Sequence, residues 1–190
     1  PGTLYRVDEN VGVIVGESGH REFKTLNENA MRILVDGSMR LGRWVKVRAT
    51  QSSPAHQELV FQPCQRDLAG LILEAARASA YVRELKLVVS YPVFLPGLKL
   101  AEPGWNENGG VFYDQPEALV NLKPNPDRAL DILDDLVIDF PLKDEASRQN
   151  VYAMMLTMVC RPAIEGPVPF FLVLAPLERT GKGKMIDTTL

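Results

Sequence analysis

Apolar residues recur along this chain in two rhythms. Alternation and short apolar runs mark strands at Val11-Gly12-Val13-Ile14-Val15, Leu87-Val88-Val89, Val93-Phe94-Leu95 and Val111-Phe112-Tyr113, whereas spacings of three and four mark helices. The first helix is expected from Asn27 to Val35, with Asn27 as N-cap, Ala30, Met31 and Leu34 on one face and Gly37 as its stop. Trp44-Val45-Lys46-Val47-Arg48-Ala49 alternates apolar and basic residues, which predicts a half-buried strand with Lys46 and Arg48 facing water. Pro54 and Pro63 bracket a turn-rich connection. After it, Arg66 to Ala80 has helical periodicity with an apolar stripe of Leu68, Leu71, Ile72 and Ala75.

The middle of the chain reads as short strands and turns. Gly104 to Gly110 forms a Gly/Asn-rich, hairpin-like turn ahead of Val111, and Trp105 on it is expected to pack over its own hairpin rather than stack on a base. Asn125 and Pro126 suit an N-cap and a first helical position, so a helix is expected through Leu130, Ile132, Leu133, Leu136 and Val137. Its carboxylates Asp127, Asp131, Asp134 and Asp135 read as a solvated face. A further helix starts at an Asp144 cap, fills a core with Val151, Met154, Met155, Met158 and Val159, and ends at Arg161-Pro162.

The chemistry is concentrated near the end of the chain. The apolar run Pro169-Phe170-Phe171-Leu172-Val173-Leu174 leads into Ala175-Pro176-Leu177-Glu178-Arg179-Thr180-Gly181-Lys182-Gly183-Lys184. A buried strand, a loop ending in Gly-Lys and a helix start are the parts of a phosphate loop: backbone N–H groups cradle an anion, and the lysine neutralises the β- and γ-phosphates. The candidate ligand-binding residues are therefore Arg179, Thr180, Gly181, Lys182, Gly183 and Lys184. Two registers compete. With Lys182 as the lysine, Pro176 stands at the first glycine and Gly183 at the hydroxyl; with Lys184, those places fall to Glu178 and Met185. The missing hydroxyl is the group that holds Mg2+, so ATP binding is better supported than hydrolysis, and no catalytic or metal-ligating residue is assigned.

Composition adjusts this picture only slightly. The 46% apolar and 24% charged residues suit a globular protein, and the net charge of −3 gives no global pull toward nucleic acid, so any such binding needs a local patch. No stretch approaches the roughly 20 apolar residues of a membrane span and no leader pattern opens the chain, which reads as cytoplasmic. Pro1 in first position reads as a processing or cut site. Cys64 and Cys160 lie far apart and read as small apolar groups; with only His20 and His56 beside them, zinc is not expected.

From Leu87 onward the chain resembles the helicase-like P-loop ATPases carried by phages, plasmids and integrative elements, often fused to or paired with a primase. The resemblance rests on Tyr91-Pro92-Val93, Pro103-Gly104-Trp105, Gly110-Val111-Phe112-Tyr113, Asp139-Phe140-Pro141, Glu145-Ala146-Ser147-Arg148, Arg161-Pro162 and Gly166-Pro167-Val168-Pro169-Phe170-Phe171. Aligned on Ala175-Pro176, the family lysine falls on Lys182, with Arg179 where the family has glycine and Gly183 where it often has Ser or Thr. Membership implies ATP-driven movement on DNA as a ring-shaped homo-oligomer, and it puts the acidic Walker B residues, the sensor and the arginine finger beyond Leu190.

The expected fold is α+β. An N-terminal region of helices and short strands (1–122) and a helical linker (123–165) precede the first strand and P-loop of a truncated RecA/AAA-like domain (166–190). The leading expectation is the N-terminal part of a DNA helicase or primase-associated ATPase, inactive alone, that binds nucleotide phosphates through Lys182. The alternative is a non-catalytic DNA-binding or protein-interaction module with a degenerate P-loop, and a small-molecule kinase ranks third.

Overall fold

The computed structural model describes residues 3–49, 54–121, 125–174 and 181–189. They are α+β, and the chain divides into two compact units, one running to Gly16 and resuming over Arg21–Lys86, the other made of Glu17–His20 and the chain from Leu87 onward. This division falls inside the 1–122 segment.

In the first unit β1 (Tyr5–Val7), β2 (Asn10–Val15) and β3 (Glu22–Thr25) form an antiparallel meander. They are followed by α1 (Glu28–Ser38), β4 (Leu41–Val47), β5 (His56–Gln62), α2 (Arg66–Ala78) and β6 (Arg83–Glu84), which returns parallel to β1, giving the order β3-β2-β1-β6. Asn27 caps α1 as expected, its Oδ1 accepting the Ala30 N–H at 2.8 Å. Met31 and Val35 of α1 meet Ala69, Leu73 and Ala76 of α2 in a core with Val11, Leu26 and Cys64. Ala69 is fully buried, and its small side chain lets the two helices approach closely.

Four expectations are corrected here. Gly37 does not stop α1, which runs on to Ser38 with Met39 as its cap residue. The stripe of α2 is Ala69, Leu73 and Ala76 rather than Leu68, Leu71, Ile72 and Ala75; Leu68 and Leu71 are exposed and Ile72 is half-buried, because α1 covers the adjoining face. The connection before Pro63 is not mainly turn but strand β5. The β4 strand is not half-buried: it pairs only with β5, in register from Leu41↔Gln62 to Val47↔His56, and most of both strands lies in solvent.

In the second unit β7 (Leu87–Val89), β8 (Phe94–Leu95), β9 (Lys99–Leu100), β10 (Gly104–Asn106) and β11 (Val111–Tyr113) make two small sheets, of order β10-β11-β7 and β8-β9. The β10–β11 hairpin turns through Glu107–Gly110, so Trp105 lies on a strand, half-buried, opposite Phe112. The Asn106 side chain pins the bend, accepting from the Glu102 N–H and donating to the Glu102 carbonyl.

The helices α3 (Pro126–Val137), α4 (Glu145–Cys160) and α5 (Lys182–Thr189) complete this unit, and a single 3-10 turn at Arg161–Ala163 follows α4. Asn125 and Asp144 cap α3 and α4, accepting the N–H groups of Arg128 and Ser147. Only Val137 and Leu133 of the expected α3 stripe are packed; Leu130, Ile132 and Leu136 are exposed. The acidic face of α3 is not wholly solvated either, since Asp134 takes a hydrogen bond from the Tyr152 hydroxyl and pairs with Arg148. The run Pro169–Leu174 forms no strand ladder among the described residues. It keeps the alternation of a strand, with Phe171 and Val173 half-buried while Phe170, Leu172 and Leu174 are 89%, 68% and 80% exposed. An apolar run marks what a segment could bury, whereas a strand also needs a hydrogen-bonded neighbour, which this run does not have among the described residues.

Candidate functional site

The start of α5 is set by one glycine and one methionine. Gly181 has φ of +82°, a left-handed conformation that glycine adopts without a side-chain clash, and its carbonyl accepts the Met185 N–H at 2.9 Å to close the first helical turn. Met185 is 6% exposed and packs with Val137, Val151 and Tyr152; burying a side chain of that size contributes about 1.5–3 kcal/mol. Held this way, α5 leaves Lys182, Gly183 and Lys184 on its exposed side. The N–H groups of Lys182 and Gly183 open this helix, and the helix dipole adds partial positive charge there.

A cleft of about 1050 Å³ opens at this terminus. Phe140, Pro141 and Leu142 form one wall and Pro169–Leu174 another. Ser147, Asn150, Val151 and Met154, at spacings of three and four along α4, form the base. Lys143 and Lys182 supply its charge, and among the described residues no Asp or Glu lines it. Asp144, Glu145 and Asp134 are engaged elsewhere. Asp144 turns its carboxylate to the Ser147 N–H and hydroxyl at 2.9 and 2.7 Å, and these bonds hold it below the usual carboxylate range. Glu145 and Asp134 pair with Arg148 at 3.9 and 3.6 Å.

Of the residues expected from the sequence, Gly181 and Lys182 line the cleft, Gly183 and Lys184 follow on α5 without lining it, and Arg179 and Thr180 lie outside the described residues. A β-carbon on Gly183 would meet nothing within 4 Å, so its place is open to solvent or ligand. Sequence reasoning missed Phe140, Lys143, Ser147 and Asn150 as site residues. The spacing of Ser147, Asn150, Val151 and Met154 was the available signal, since it puts polar and apolar groups together on one helical face.

This arrangement suits a ligand with negative charge at the helix start and an aromatic or apolar part along the phenylalanine walls. Among the described residues it gives Mg2+ no charged protein ligand, because neither the lining nor Gly183 offers a carboxylate. The chain matches no family model, no curated protein and no solved structure.

Proposed function

We propose that the cleft at the start of α5 binds the phosphates of ATP, and that the chain is part of a helicase-like P-loop ATPase of the kind found on phages and other mobile elements, working in the cytoplasm on DNA as a homo-oligomer. The observation that carries the nucleotide reading is a cleft without an acid among its described residues, with Lys182 at a helix N-terminus and the Phe140 and Phe170–Leu174 walls beside it. Lys182 would contribute the ammonium, the N–H groups of Lys182 and Gly183 the directed donors, and Lys143 a second cation on the lining. Residues 166–190 then correspond to the start of a RecA/AAA-like domain. With no carboxylate among the described residues of the lining to orient water or hold Mg2+, the role proposed for these residues is binding rather than hydrolysis.

The test is equilibrium binding of a fluorescent ATP analogue to the chain and to Lys182→Ala and Lys184→Ala. Loss of binding in the first variant and its retention in the second supports the reading and the register. Unchanged affinity in Lys182→Ala counts decisively against it.

Gly183, which puts no hydroxyl after the lysine, favours a second reading: a non-catalytic DNA-binding or protein-interaction module whose P-loop has lost magnesium chemistry. DNA affinity that falls with salt and ignores nucleotide would support it.

A further inference from the structure

We infer that one face of the β4–β5 ribbon is a platform for single-stranded nucleic acid, on which Trp44 and Phe61 stack on bases while Lys46 and Arg48 hold phosphates. This deepens the DNA part of the proposed function by naming a contact surface, and it is independent of the nucleotide site at Lys182.

The register decides which residues share that face. Directly paired residues of an antiparallel ribbon project to the same side, so Gly42 with Phe61, Trp44 with Leu59 and Lys46 with Gln57 make one face. Arg43 with Val60 and Val45 with Glu58 belong to the other. Arg48 continues the parity of Trp44 and Lys46. The first face therefore carries two aromatic rings and two cations and no acid, because Glu58, the ribbon's one carboxylate in the described strands, lies on the opposite side.

The rings are uncovered. Trp44 is 65% exposed and Phe61 58% exposed. Leu59 leans toward Gly42, where an added β-carbon would stand 2.8 Å from its Cδ1. A ribbon that packed only for stability would bury these rings. Here its base is anchored by Leu41 against the core of the first unit, and the strands stand out from it.

Charge selects the occupant. Residues 40–62 hold Arg40, Arg43, Lys46 and Arg48 against Glu58, a net of +3 in a chain whose total is −3. A second copy of the same cationic face would be repelled, whereas a polyanion with exposed π-faces meets both features. Stacked aromatics interleaved with cations are the recognition chemistry of unpaired strands, tolerant of sequence because every base offers a π-face.

Fluorescence anisotropy of a labelled oligo-dT of about 16 nucleotides, titrated with the full chain at about 50 mM salt, tests this. The expected result is saturable binding that Trp44→Ala and Phe61→Ala each weaken about 5- to 100-fold. Trp44→Phe retains most of it. Lys46→Gln with Arg48→Gln reduces the slope of log affinity against log salt by about 1.4, two phosphate contacts at the single-strand value. In a Trp105→Phe background, which leaves Trp44 as the sole tryptophan, emission is quenched on binding. Lys182→Ala leaves all of this unchanged, so failure here and failure of the ATP site are separate results. Absence of binding at low salt, equal affinity in Trp44→Ala, a duplex bound as tightly without quenching, or a Trp44-dependent dimer in sedimentation without oligonucleotide binding would each overturn the inference. If Trp44→Ala fails to fold by circular dichroism, the paired charge variant and the Trp44 quenching decide.

Discussion

The ring of Phe140 lies against Gly181, so that a β-carbon built on that glycine would sit 3.8 Å from Phe140 Cε1. The contact is spacious and the backbone is not: φ of +82° penalises any side chain at Gly181. Gly181→Ala is therefore expected to destabilise the docking of α5 by about 1–2 kcal/mol through conformation rather than collision. Gly183→Ala, in open space within the helix, should stabilise it by up to about 1 kcal/mol. Hydrogen exchange of the α5 amides in the two variants reads both signs, and equal shifts in the same direction would show that the helix start is not set by Gly181.

Asp144 couples α4 to acid. Its carboxylate is held below 3.8 chiefly by the Ser147 hydroxyl and N–H, so its cap is fully effective above the unfolded value and is lost as pH falls from there through the folded value. The melting temperature of the chain should drop over that window. Asp144→Asn keeps an oxygen for the Ser147 N–H but has no charge to lose, and its acid limb should be flatter than that of the parent. Matching acid limbs would mean that other carboxylates govern the transition.

Three of the helix starts were legible from sequence because a cap is a local device. Asn27, Asn125 and Asp144 each reach an N–H only three residues away. What was not legible depended on partners distant in sequence. Ala69 became the buried point of α2 because α1 crosses there, and no periodicity within 66–80 distinguishes that outcome from a stripe on Leu68 and Leu71. Strand β5 lacks clean alternation, and pairing with β4 across the Pro54 and Pro63 region defines it. Within the site, Lys182 was visible as part of a motif. Phe140 and Lys143 were not, since they enter the cleft from the loop before α4.

Tyr152 and Asp134 join α4 to α3. The hydrogen bond from the phenol, together with the cost of removing it from water and the nearby carboxylate charge, raises the Tyr152 hydroxyl above its usual 10.0. A group raised in the folded state contributes stability below the unfolded value and loses it as pH rises through the folded one. Tyr152→Phe should therefore lower the melting temperature at neutral pH and flatten the alkaline limb above about pH 10. An alkaline profile identical in parent and variant would remove Tyr152 as the coupled group.

Gly12 faces Thr25 across β2 and β3, and its lack of a side chain is a packing requirement rather than a backbone one. A β-carbon there would stand 2.3 Å from the Lys24 carbonyl oxygen and 2.6 Å from two atoms of the Phe23 ring. The ring can rotate, but the carbonyl belongs to the paired strand and moves only if the ladder opens. Gly12→Ala should therefore destabilise the first unit by about 1–3 kcal/mol, the range for overpacking a tight site. Phe23→Ala in the same background relieves only the side-chain part of the clash and should recover only a fraction of the loss. Urea denaturation of the single and double variants measures this, and full recovery in the double variant would place the constraint on the ring instead of on the β2–β3 backbone.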